Sequence, residues 1–167
     1  VPPKSEQTLV VCHFGGKVGG LPLENVAKIM PMADLAQPPG LPAPLEGILN
    51  LAGAAVPVLR LDRLFQLPER RPGLYSMLVL LNRTGSSQIA LLVDRVSEIL
   101  TVHKHELLPV AEEDSFNACV VGTVPMRGSV VHVLSPPRIL LERESQSLAA
   151  FRTTEELRLA GWRPAIQ

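Results

Sequence analysis

Apolar residues in this chain come in short runs cut by glycine, proline and small polar clusters, a pattern of strands and turns that persists to about residue 135. The run LVVCHF at 9–14 predicts a strand, and Gly15, Gly16, Gly19 and Gly20 behind it read together as a turn. PLENVAKIM at 22–30 predicts a strand or a short helical turn. The following PMADLAQPPGLPAPLEG is too rich in proline for regular structure and is expected to be a surface loop, rigid in parts. Strands at 48–51 and 54–61 flank Ala52 and Gly53, which suits a hairpin in which Gly53 supplies the positive backbone angle. Pro57 cannot donate to a ladder, so its strand is expected at a sheet edge or bulged, with a face open for pairing or packing. PERRPG at 68–73 then separates two halves. Apolar strands follow at 76–82 and 88–94 around the polar turn RTGSS, and RVSEIL continues as strand.

From Ser135 the pattern changes to a helical one. Ser135 reads as an N-cap with Pro136 at the first helical position, and Ile139, Leu140, Leu141, Leu148 and Phe151 are mixed with charges. A helix is expected over 136–149. Thr153 and Glu156 have capping-box spacing, predicting a second short helix docked through Trp162.

The halves repeat each other. GILNLAGAAVPVLRLDRLF at 47–65 and GTVPMRGSVVHVLSPPRIL at 122–140 pair Gly47 with Gly122, Gly53 with Gly128, Val56 with Val131, Val58 with Val133, Leu59 with Leu134 and Arg63 with Arg138. Upstream, LPLENVAKIM at 21–30 aligns with LLVDRVSEIL at 91–100, and the loop at 107–118 takes the place of the first proline loop. Two matches in the same order indicate duplication. Short strands, many turns and one helical region predict an all-β fold of two barrels. A half of about 60 residues is marginal alone, so the halves should share an apolar interface with a groove between them.

Composition narrows the function. The 16 basic residues equal the 16 acidic ones and only six residues are aromatic, which disfavours phosphate neutralisation and base stacking, hence nucleic-acid binding. No apolar run reaches the roughly 18 residues of a membrane span, so direct membrane insertion is not expected. Cys12 and Cys119 read as buried, reduced thiols. His103 and His105 in HKHE would share one side of a strand, but no third ligand stands at a recognisable spacing, and no metal or other cofactor is expected. GGKVGG lacks the helix start of a phosphate loop, and no carboxylate pair suggests acid–base work, so no catalytic residues are assigned. The chain begins at Val1 without a methionine, which suggests a piece trimmed or cut from something longer.

At 47–65 the chain resembles the CheW-like family of chemotaxis coupling proteins, through Gly47, Asn50, Leu51, Gly53, Pro57, Val58, Leu61 and Asp62. LPLENVAKIM, ALLVDRVSEIL and VVGTVPMRGSVVHVLSPPRIL also look like the family, so that four segments in order cover about 9–141. The resemblance implies two five-stranded SH3-like barrels sharing a core, about 16–67 and about 74–141, followed by a helical extension at 142–167. It implies a non-enzymatic cytoplasmic adaptor, recruited to membrane-associated receptor arrays of a two-component system. Its expected partners are the regulatory domain of a CheA-type histidine kinase and the cytoplasmic tip of a methyl-accepting chemoreceptor.

Carried over by position, Gly47, Leu49 and Pro57 fall near the kinase-facing strands, and Val26, Ile29, Val93 and Val96 near the receptor groove. The family usually has arginine at Ala52 and an acidic residue at Lys28. Losing both members of such a pair orphans neither charge, which points to altered partner choice in a divergent array, such as one for surface sensing or motility. At the aligned second-half positions Glu98 and Arg127 keep the acidic and basic types. Two rival readings are a CheW-like module of a larger scaffold and a small metal-dependent enzyme using His103 and His105.

Overall fold

The computed structural model describes residues 5–42, 44–69, 71–82, 88–110, 119–139 and 156–159. Ten strands run in chain order: β1 (Glu6–Phe14), β2 (Lys17–Pro22), β3 (Val26–Pro31), β4 (Leu45–Leu51), β5 (Ala54–Arg60), β6 (Met77–Leu81), β7 (Ala90–Val93), β8 (Arg95–His103), β9 (Val120–Met126) and β10 (Ser129–Leu134). Two one-turn helices, α1 (Leu61–Leu64) and α2 (Pro136–Ile139), follow β5 and β10 at repeat-equivalent places. The remainder of the helix expected over 136–149, and Trp162, lie outside the described residues, while 156–159 are helical.

The strands form two five-stranded mixed sheets, ordered β8-β1-β2-β10-β9 and β3-β6-β7-β5-β4. With β6 to β10 taken as second copies of β1 to β5, the two orders become identical. Each sheet takes its first two strand types from one half and the other three from the opposite half. The parallel ladders that join the halves also correspond. Val133 pairs with Gly20 in the first sheet, and the equivalent Val58 pairs with Ala90 in the second. The stretches 16–67 and 74–141 therefore each contribute to both sheets. No ladder joins β8 to β9 or β3 to β4 among the described residues, so closure of either sheet into a barrel is not made by strand pairing there.

Strand exchange explains why so many strands are apolar without interruption. On β6, Leu78 and Leu80 pack inside their own sheet with Val56, Val58, Ala90 and Leu92, whereas Val79 and Leu81 face a second cluster. That second cluster is the layer between the sheets. It gathers Val10, Cys12, Phe14, Leu21 and Leu134 from one sheet and Leu45, Leu59, Leu91 and Val93 from the other. Leu9, Val102, Val124, Val131 and Val133 fill the interior of the first sheet. Val131 and Val133 are the copies of Val56 and Val58, so the repeat extends to the direction in which each side chain packs. Strands covered on both faces read as continuous apolar runs because neither face meets water.

Three details differ from the pattern expected of the sequence. Only Gly15 and Gly16 form the first turn, at φ 56° and 82°, while Gly19 and Gly20 lie within β2. They are needed there for close approach: a Cβ on Gly19 would sit 2.6 Å from Cε1 of Phe14, and one on Gly20 3.0 Å from Leu9 and Val131. Second, β5 is an interior strand, with its register unshifted at Pro57. The proline is accommodated because β7 pairs only with Val58, Leu59 and Arg60, so β5 has an open side locally at 54–57. Third, His103 ends β8 and His105 lies in the one-turn 3-10 helix Lys104–Glu106, so they do not share a strand face; their rings stack at 5.2 Å.

The β4–β5 hairpin turns at Ala52 and Gly53, with φ 51° and 90°, and the copy turns at Arg127 and Gly128, with φ 31° and 74°. Both central residues are left-handed, the geometry that matches strand twist. Asn50 Oδ1 accepts the Gly53 N–H at 3.0 Å. Cys12 and Cys119 are free and buried, and burial pushes their thiols up to about 12 and about 11.

Gly19→Ala should destabilise the fold by about 1–3 kcal/mol, because Phe14 is buried against Phe65 and has little room to yield. Gly20→Ala, which installs the residue its copy Ala90 already carries, should cost less; urea midpoints measured at equal m-value test the order.

Candidate functional site

Two regions carry the residues expected to meet partners. The first is the β4–β5 end of the second sheet. Gly47, Leu49 and Pro57 are all buried there. A Cβ on Gly47 would fall 2.7 Å from Leu35 Cβ and 2.8 Å from the Ala36 carbonyl oxygen, so the glycine lets the proline-rich loop cross β4. That loop is fastened by a two-way backbone bridge, with Ala36 and Ile48 exchanging hydrogen bonds of 2.9 and 2.8 Å. The copy has the same crossing: Gly122 lies under Leu107 and Leu108, and Leu108 bridges to Thr123. Leu49 points into the interior of its own sheet. These residues shape the surface from beneath.

Beside them sits a charged cluster at the end of β5. Arg60 and Asp62 are 5% and 4% exposed and pair through two parallel contacts, Nε to Oδ1 at 2.9 Å and a terminal nitrogen to Oδ2 at 2.7 Å. Glu46 accepts from Arg60 at 3.2 Å and lies 3.3 Å from Arg63, which also donates to the Leu45 carbonyl at 2.8 Å. The hydrogen bond to Asp62 raises the Arg60 pKa against the opposing effect of burial, with Glu46 adding to the rise. Arg60 thus stays protonated despite its burial. The cluster locks α1 onto the β4–β5 hairpin. The two charges only two residues apart at the end of an apolar strand, Arg60 and Asp62, were the available signal for it; a buried fork-to-carboxylate pair satisfies both groups locally.

The second region is the junction of the sheets. Val93 is buried, and Val26, Ile29 and Val96 are half-buried; all four pack in the inter-sheet layer, so the expected groove residues are brought together. Their copies are not equivalent in exposure, since Ile99, the partner of Ile29 in the repeat, is 53% exposed. His13 borders this region, pairing in register with Arg95 and lying 3.1 Å from Ser97 Oγ through Nε2. Burial and the Arg95 charge lower its pKa despite Asp94 and Glu98, and His132 is lowered by burial and Lys17. Lys28 is exposed on β3 and Ala52 exposed in the β4–β5 turn, the two end strands of their sheet; their copies Glu98 and Arg127 are exposed as well.

Among the described residues no group of three or more His, Cys, Asp or Glu is placed to hold a metal ion. No described helix is long and apolar enough to cross a membrane.

The sequence profile of the CheW-like domain matches residues 8–144. The chain belongs to the CheW-like family. Its similarity to individual members is distant. It is 25% identical over 147 residues to a chemotaxis protein CheW of Treponema pallidum, covering 84% of this chain and 86% of that one. It is also 25% identical over 120 residues to a chemotaxis protein CheW of Thermotoga maritima, covering 72% and 78%. In fold it is similar to the crystal structure of the scaffolding protein TtCheW from Thermoanaerobacter tengcongensis, with a TM-score of 0.72 at 20% identity over 81% of this chain and 88% of that one. CheW-like proteins are non-enzymatic scaffolds that couple receptors to CheA in chemotaxis, and at that family level the chain's role follows.

Removing the Asp62 carboxylate as Asp62→Ala should cost about 3–5 kcal/mol by stranding a buried guanidinium, whereas Arg63→Ala, at a partly exposed side chain, should cost under about 1 kcal/mol; equal losses in urea unfolding would contradict the assignment. The histidines supply a pH dependence. Because folding lowers both pKa values below the usual 6.5, the unfolded chain binds more protons in acid. Stability is then full above about 6.5 and declines as pH falls through it. The double variant His13→Gln, His132→Gln should flatten the change in urea midpoint between about pH 7.5 and 5.5.

Proposed function

We propose that this protein couples the cytoplasmic tip of a methyl-accepting chemoreceptor to the regulatory domain of a CheA-type histidine kinase, acting in the cytoplasm by apolar contacts that set kinase geometry. The observation that carries the reading is the inter-sheet layer. Val26, Ile29, Val93 and Val96, drawn from both halves of the chain, converge on one cluster at the sheet junction, as a groove for a helical hairpin requires. Gly47, Leu49 and Pro57 support the kinase-facing assignment indirectly, by forming the floor of the β4–β5 end. The described polar residues favour binding over chemistry, since the charge cluster around Arg60 and Asp62 is engaged in fastening α1 to the hairpin.

Lys28 and Ala52 bias which partner is accepted. Both side chains are exposed, both differ in type from the family pattern, and both differ from their own copies Glu98 and Arg127. The pattern suits a divergent array.

The immobilised chain should retain both the cognate kinase regulatory domain and a chemoreceptor hairpin tip, and retention of neither would overturn the adaptor reading. The double exchange Lys28→Glu with Ala52→Arg should shift affinity for at least one of the two by several-fold; unchanged affinities for both would show that these positions do not set partner choice.

A further inference from the structure

The two sheets differ at one place where the duplication should make them alike. Val130 on β10 is 45% exposed, but its copy Ala55 on β5 is 1% exposed. His132 is half-buried, and its copy Pro57 is buried. On β10 the neighbouring strand β2 already pairs at Val131, whereas on β5 the neighbour β7 begins only at Val58. The 54–57 stretch of β5 should therefore be the more open of the two. It is the more covered one.

Hydrogen-bond direction identifies one contact on that side. A two-residue turn at Ala52 and Gly53 is closed by a bonded pair, Leu51 with Ala54, and the antiparallel alternation makes Leu49 with Val56 the next bonded pair. Ala55 and Pro57 then present their nitrogens away from β4, toward the side that β7 leaves vacant. Pro57 has no N–H to satisfy. Ala55 has one, and it donates to Glu156 Oε1 at 3.4 Å, from a residue 101 positions away in sequence. Glu156 heads the helical stretch 156–159, beyond the 8–144 span of the family profile.

We propose that the segment carrying Glu156 is an intramolecular cap on the open 54–57 side of β5, competing there with the kinase regulatory domain. The competition rests on the adaptor reading above, since it takes Pro57 and its neighbours as kinase-facing; the cap itself does not. The contact is built to be displaced. Leu157 is 69% exposed and Leu159 is 42% exposed, so these two leucines add little burial, and the Glu156 bond to the Ala55 amide is long. A partner that buries this end of the sheet gains more than it displaces, and kinase engagement then releases the C-terminal segment.

Two measurements on the full-length chain test this. Hydrogen exchange read by NMR at the Ala55 amide should accelerate at least about tenfold in Glu156→Ala, while the amides of β6 in the core stay protected. Unchanged exchange at Ala55 would overturn the cap. Titration of the kinase regulatory domain should show Glu156→Ala binding several-fold tighter than the unaltered chain. Measurable but equal affinities would overturn the competition. Binding by neither protein would refute the adaptor reading and the competition together, and the Ala55 exchange rate would then decide the cap by itself.

Discussion

The apolar layer between the two sheets is the contact on which the rest of the molecule depends. It exists because each half surrenders its first two strands to the other sheet, so that β1 and β2 complete β8 to β10, and β6 and β7 complete β3 to β5. Neither half retains a complete sheet if the other unfolds. A half of this length has too little interior for independent stability, and the exchange removes that difficulty by burying the exchanged strands β6 and β7 and much of β1 and β2 on both faces. Val10, Cys12 and Phe14 along β1 are one edge of this layer, and Val79 and Leu81 along β6 are their counterparts. Val26 and Val96, equivalent residues of the two halves, both pack against this layer, half-buried at its margin.

Duplication sets the frame, and the two halves depart from it at particular places. The turns at Ala52 and Arg127, the glycine crossings at Gly47 and Gly122, and the loop bridges at Ile48 and Thr123 are alike in both halves. Charge and cover are not. The first half has Lys28 where the second has Glu98, and a half-buried Ile29 where the second exposes Ile99. Arg60 and Asp62 pin α1 in the first half, whereas the equivalent stretch reads Ser135 and Pro137, which cannot form such a pair. A symmetric scaffold with unlike ends can face two different partners at once, as an adaptor between a receptor and a kinase must.

The alternation of apolar runs and turns was enough to place nearly every strand, and the repeat foretold two like units with a common interior, while the count of five strands in each came from the family resemblance. Which strands belong to which sheet was not legible. The decisive ladders, β2 with β10 and β5 with β7, are parallel and join residues far apart in sequence; no local signal distinguishes them from pairing within a half. Gly19 and Gly20 illustrate a second limit. Glycine marks both a turn and a close approach, and only the position of Phe14 on the adjoining strand decides between them. Pro57 illustrates a third, because an interior strand has an open side wherever its neighbour is shorter. At the candidate site, Val26, Ile29, Val93 and Val96 share one apolar cluster, a grouping that no local pattern encodes, and Gly47 is covered by a proline loop whose course no periodicity encodes.

These edges also constrain how any partner is recognised. An exposed strand invites pairing by another chain unless its hydrogen-bonding groups are occupied or removed. Here the outer side of β4 is engaged by Ala36, that of β9 by Leu108, and the open stretch of β5 combines a proline with an amide already donated to Glu156. The edges nearest the expected kinase surface are therefore poor templates for strand addition. A partner at this end would meet side chains packed on the sheet rather than a free strand edge, with Lys28 and Ala52 among the exposed positions where the two copies have diverged.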